Sequence, residues 1–135
     1  AGRVEWAARA RRPALDRVEP IVREFFAHIR RNPDMPCIMA REMASGREIA
    51  PPVKQMMGRA LPRLAGVIAD GQRDGSIRPG DPLLLALSTV AQPVYLNLAR
   101  RAIAVVAGLD QSDEATFQRV VEHAVETVRA ALETR

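Results

Sequence analysis

Apolar residues recur along this chain every three or four positions, and nowhere with the two-residue alternation of a strand. Leu15, Val18, Val22, Phe25, Phe26 and Ile29 form the first clear stripe, which predicts a helix ending at Arg31-Asn32-Pro33. Pro20 lies inside that stripe, so the helix either begins there or kinks. A preceding helix around Val4, Trp6 and Ala10 is expected within residues 1–12. Asp34-Met35-Pro36 reads as a second helix start, and the short segment it opens stops at Ser45-Gly46. Pro51-Pro52 opens a longer helix striped by Val53, Met56, Met57, Ala60, Leu61, Leu64 and Ile68. Pro62 should bend it, and Gly71 and Gly75 suit its fraying end and cap.

The fourth pattern is different in kind. Asp81 is placed to cap a helix with Pro82 at its first position, where a missing N–H is harmless. No charged residue then follows until Arg100. This helix is expected to reach about Gly108, kinked near Pro93, and it is apolar on nearly every side. Leu84, Leu87, Ala91, Val94 and Leu98 occupy one side, and Leu85, Leu96 and Ile103 another. A last helix, with Ser112 as its expected cap and Asp113 and Glu114 at its positive end, carries Phe117, Val120, Val121, Ala124, Val125, Val128 and Leu132. Short connections imply neighbours that pack antiparallel or at moderate angles. The expected architecture is all-α, a bundle of five or six helices forming one domain over residues 1–135.

Composition refines this picture in a few places. At 135 residues, 47% hydrophobic and 27% charged, the chain suits one globular domain. Net charge is +4, and all of it arises in residues 1–31, where eight arginines face four acidic residues. Such an end either sits near an acidic surface or is a solvated helix face. No basic stripe is interleaved with aromatics, which argues against nucleic-acid binding by this chain itself. Cys37 is the only cysteine, so no internal disulfide can form and a reducing, cytoplasmic setting is expected. The uncharged run Pro82–Ala99 approaches membrane-spanning length, but Ser88, Thr89, Gln92, Pro93 and Asn97 favour burial in protein, and no membrane contact is expected.

Catalytic patterns are nearly absent. His28 and His123 fall in different helices, outside any metal-binding spacing, and no glycine loop suits a phosphate. No catalytic residue, metal or cofactor is expected. The methionines are more suggestive: Met35, Met39, Met43, Met56 and Met57 fall within 23 residues. The first three recur every four positions along one helix face. Such a stripe either packs as plain core or lines a pocket whose flexible thioethers adapt to apolar ligands. Phe25, Phe26, His28, Met39, Met43, Met56, Met57, Ala60 and Leu64 are the pocket candidates. Ser88, Gln92 and Tyr95 join them, as polar groups on a greasy helix that either bond to neighbouring helices or orient a ligand. The remaining apolar surface needs a partner. Leu87, Ala91, Val94 and Leu98, with Phe117, Val121, Val125, Val128 and Leu132, are the expected homodimer contacts.

Several of these residues also carry a resemblance. Arg41-Glu42-Met43-Ala44-Ser45-Gly46, then Ile68-Ala69-Asp70-Gly71-Gln72, Gly75-Ser76-Ile77-Arg78 and Asp81-Pro82 before a long apolar helix, resemble the carboxyl-terminal half of tetracycline-repressor (TetR) family transcriptional regulators. The likeness runs from about Leu15 onward and rests on the order of the motifs. It implies an all-α regulatory domain that binds a small, mostly hydrophobic effector. It also implies dimerisation through the last two helices as a four-helix interface. The family reads operator DNA with an amino-terminal helix-turn-helix, and no such three-helix segment precedes residue 15. Residues 1–12, with Arg9, Arg11 and Arg12, would then be the tail of a connecting helix, and DNA contact would belong to a segment outside this chain. Two competing readings are a freestanding helical interaction module and a small helical enzyme using His28 or Cys37.

Overall fold

Each predicted stripe becomes a helix in the computed structural model, which describes residues 12–134. The elements are α1 (Leu15–Arg31), α2 (Met35–Ala44), α3 (Pro51–Asp74), α4 (Pro82–Leu98), α5 (Arg100–Ala107) and α6 (Glu114–Leu132). The helix expected around Val4 and Trp6 lies outside the described residues. α1 is central, packing against α3, α4 and α6. Its buried stripe, Leu15, Val18, Val22 and Phe26, meets Leu64, Val67 and Ile68 of α3, Leu85 and Ala86 of α4, and the valines of α6 in one continuous core. α2 stands apart, burying only Pro36.

α1 begins five residues before Pro20 because distant side chains satisfy its first N–H groups. The Ala14 N–H donates to Asp74 Oδ2 at 2.8 Å, and the Leu15 N–H donates to Ser76 Oγ at 3.2 Å. The family-like turn after α3 is thus a structural hub. Gly71 is not a frayed end: it lies inside α3, buried, where the Ile77 side chain closes over its missing Cβ. Gly75 ends the helix at φ +84°, a conformation that favours glycine. Gln72 Nε2 donates to the carbonyls of Arg78 (3.2 Å) and Gly80 (2.8 Å), which shapes the turn. The carboxyl end of α6 is tied to the same place by Arg78 N–H to Leu132 O at 2.8 Å, and by an isolated antiparallel bridge between Ile77 and Glu133. Asp81 caps α4 as expected, accepting the Leu83 N–H at 2.9 Å.

α3 runs as one helix through Pro62. Two sequence expectations shift. The uncharged helix breaks at Ala99, six residues beyond Pro93, and α4 and α5 meet there at 68°. Pro93 itself is buried within α4. At the break Gln111 Nε2 donates to Leu96 O at 2.9 Å and Arg100 Nη1 to Asn97 O at 3.1 Å, so two carbonyls at the end of α4 have side-chain partners. Asp113, not Ser112, caps α6, accepting the Thr116 N–H at 3.1 Å. Ser112 instead donates its hydroxyl to Asp110.

Among the described residues no single helix is long and apolar enough to cross a membrane; α4 and α5 together reach that length and apolarity only as a bent pair.

Candidate ligand cavity

Helical spacing divides α4 into three faces, because residues three and four apart lie above one another. Leu85, Ala86, Thr89 and Pro93 face the core. Leu87, Val90, Ala91, Val94 and Leu98 border a cavity of about 260 Å³ shared with α1, α2 and α3, open enough at its mouth to leave Leu87 39% and Leu98 40% exposed. The third face presents Leu84, Ser88, Gln92 and Tyr95 outward, with Leu84 60% and Tyr95 63% exposed.

The cavity wall is chemically uniform. Phe25, His28, Ile29 and Asn32 come from α1 and the residue after it; Pro36 and Ala40 come from α2; Ala60 and Leu61 come from α3. All five methionines, Met35, Met39, Met43, Met56 and Met57, border it. None of them belongs to the buried core, which is built from Val, Leu, Ile, Ala and Phe. Thioethers collected around a void and excluded from the core are adaptable lining. Among the described residues, His28 and Asn32 are the only polar ones of the wall. The Asn32 amide is already engaged, donating to the His28 carbonyl at 3.0 Å. His28 Nε2 is sealed from solvent and has no partner among the described residues.

Seven of the sequence-predicted pocket residues come together here: Phe25, His28, Met39, Met43, Met56, Met57 and Ala60. Five do not. Phe26 turns the other way, edge-to-face against Phe117 with ring centroids 6.3 Å apart. Leu64, 1% exposed, is in the core. Ser88, Gln92 and Tyr95 lie on the outward face of α4, so the polar groups expected to orient a ligand are on the side away from it. Leu87, Ala91, Val94 and Leu98, expected at a dimer contact, take their place in the wall. On α4 the residues that border the cavity are therefore not the ones expected to. Its stripe of threes and fours was visible in the sequence, but hydrophobicity alone does not say what a stripe faces.

The other expected dimer residues also point inward. Val121, Val125, Val128 and Leu132 are buried against α1 and the rest of the core, so they offer no surface to a second chain. Phe117 is half-buried, held by Phe26 and by the Arg30 guanidinium 4.2 Å from its ring centroid. α6 is fastened along α1 by Arg23 to Glu122 (2.7 Å), Arg129 to Asp16 (2.8 Å) and Arg30 to Glu114. The Arg23 bond holds the Glu122 carboxyl below its ordinary value, and Arg30, then Gln118, does the same for Glu114. Large apolar side chains remain uncovered elsewhere: Val105 and Val106 on α5 are 86% and 85% exposed.

Cys37 and His28 border different cavities, Cys37 lying with Asp34, Ile38 and Arg41. Among the described residues no cluster of three or more His, Cys, Asp or Glu side chains could hold a metal ion.

A family model described as "Tetracyclin repressor-like, C-terminal domain" matches residues 15–128, from the first residue of α1 to the last turn of α6. The chain belongs to that family. No curated protein and no solved structure matches it. TetR-like C-terminal domains are parts of regulators, and their typical properties are dimerisation and small-effector binding. The motifs that carried the sequence resemblance fall mainly in the hub joining α1, α3, α4 and α6, so in this TetR-like domain they chiefly secure the fold, while Met43 of the first motif borders the cavity.

Proposed function

We propose that this TetR-like domain senses a small, mostly hydrophobic effector in the methionine-lined cavity and holds two copies of its regulator together. The gathering of all five methionines around one void, outside the core, carries the effector reading. A void near 260 Å³ lies toward the small end of ligand sites and suits a molecule of about a dozen non-hydrogen atoms at protein packing density.

For the dimer, the outward face of α4 (Leu84, Ser88, Gln92 and Tyr95) supplies apolar area with polar groups at intervals, and α5 adds Val105 and Val106. On α6 the flank turned away from α1 carries the exposed His123, Thr127 and Ala131, small or compact enough for another helix to approach. Two copies of α4 and α6 then form a four-helix contact with two-fold symmetry. The interface residues in this reading differ from those first expected, because the valines of α6 are committed to the core.

Signalling follows as a population shift: a ligand that prefers one spacing of α1, α2, α3 and α4 biases the whole domain toward it. α1 connects the cavity, through Phe25 and His28, to an amino-terminal end clamped by Asp74 and Ser76. Operator DNA would be contacted by a segment preceding α1 in the regulator. No catalytic step is assigned, since His28 and Cys37 are not brought together, and a cytoplasmic setting suits a lone free cysteine.

Native mass spectrometry of the purified chain tests both parts. The expected spectrum shows a doubled mass with a small apolar molecule carried by each chain. A bare monomer at micromolar concentration would overturn the dimer and count against a tightly held effector.

A further inference from the structure

One buried atom of a residue that lines the cavity narrows the chemistry of its occupant. Buried polar atoms in folded proteins are almost always paired, since an unpaired one loses its bonds to water with nothing in return. Nε2 of His28 is buried and, among the described residues, unpaired. Its one polar neighbour in the wall, Asn32, has its amide on the His28 backbone carbonyl. Among the described residues no Arg, Lys, Asp or Glu borders the cavity, so a charged ligand would lose its hydration without meeting an opposite charge from them.

We propose, building on the effector-cavity reading above, that the ligand is a neutral, largely hydrocarbon molecule with a single hydroxyl or carbonyl group, and that this group bonds to His28 Nε2. An imidazole nitrogen can donate to a carbonyl or accept from a hydroxyl, according to its tautomer. The nitrogen is sealed from solvent, so the wall yields as the ligand seats. The side that can yield is α2. That helix buries only Pro36, faces the void with the mobile thioethers of Met35, Met39 and Met43, and carries a second unpaired buried atom, Glu42 Oε2. Ligand entry therefore pairs an orphaned nitrogen and draws a loosely packed helix onto an apolar body.

Isothermal titration of the 135-residue chain with three probes decides the matter: 4-butylphenol, butylbenzene and ionised 4-propylbenzoate. The expected order is 4-butylphenol about tenfold tighter than butylbenzene, with the benzoate weakest. His28→Leu should abolish the phenol's advantage while butylbenzene still binds, and His28→Gln, which keeps a polar group of similar reach, should retain part of it. Equal affinity for phenol and hydrocarbon in the unaltered protein would overturn the role of His28 and leave the cavity reading intact. The benzoate binding as tightly as the phenol would overturn the neutral class. Absence of binding by all three would overturn the cavity reading itself.

Discussion

Asp74 and Ala14 lie sixty positions apart, and the Asp74 carboxylate accepts the Ala14 N–H at 2.8 Å where α1 begins. The same carboxylate takes hydrogens from the Ser76 hydroxyl and the Ser76 N–H, and its pKa is accordingly held below the ordinary aspartate value. A lowered carboxyl stabilises the fold above its unfolded value and loses that contribution as pH falls through its folded value. Replacing Asp74 by Ala removes a helix cap supplied from another element, at about 1 kcal/mol. Urea denaturation at neutral and at acid pH checks this: the gap between Asp74→Ala and the parent should be present near neutrality and shrink in acid. A gap of constant size across that range would show that the carboxylate charge is not responsible.

Gly71 is the tightest point of the same hub. A methyl group there would meet Ile77, whose Cβ lies 2.9 Å from the ideal Cβ position, and Ile77 is buried. Gly71→Ala should therefore destabilise by about 1–3 kcal/mol through overpacking, although alanine is otherwise the better helix former. Thermal unfolding of Gly71→Ala beside Gly66→Ala, where no atom lies within 4 Å, gives the comparison. A Gly71 variant as stable as the Gly66 variant would mean that Ile77 does not close over the helix as described.

The bend at Ala99 depends on Gln111 reaching back to the Leu96 carbonyl at 2.9 Å. Gln111→Ala should lower stability by about 1 kcal/mol and speed amide exchange around the α4–α5 junction. Unchanged exchange there would place the cause of the bend elsewhere.

The two outer faces of α4 make opposite predictions. Tyr95→Arg, with Leu84→Arg if one change is too mild, puts charge on the outward face and should weaken dimerisation by at least about tenfold while ligand affinity holds. Gln92→Leu should likewise alter association and leave the effector alone. Val94→Trp fills cavity volume and should reduce ligand affinity by about tenfold or more with the dimer intact. Analytical ultracentrifugation and calorimetry on the same three proteins separate the effects. The reverse pattern, with ligand lost by Tyr95→Arg and dimer lost by Val94→Trp, would restore the face assignment suggested by the sequence.

That reversal shows where sequence reading succeeds and where it stops. Asp81 was legible as a cap because its partners, the N–H groups of Leu83 and Leu84, are two and three residues away. The Met35-Met39-Met43 face was legible because helical period alone aligns it. The caps on α1 were not, since they come from Asp74 and Ser76 across the fold. The faces of α4 were not either. A helix apolar on every side has no amphipathic direction, and Ser88 and Gln92 fit an exposed face as well as a ligand site. On α6, Val121, Val125 and Val128 make the same stripe whether they bury against α1 or against another chain. Only the placement of α1, which buries these valines in the shared core, decides between them.

Occupancy of the proposed ligand site by small apolar molecules would be reported directly by the methyl groups of the five methionines that border it. Methyl-¹³C methionine NMR of the chain, titrated with 4-butylphenol and then butylbenzene, should show all five ε-methyl signals moving and saturating at one ligand per chain. Signals that stay in place with both ligands would contradict it.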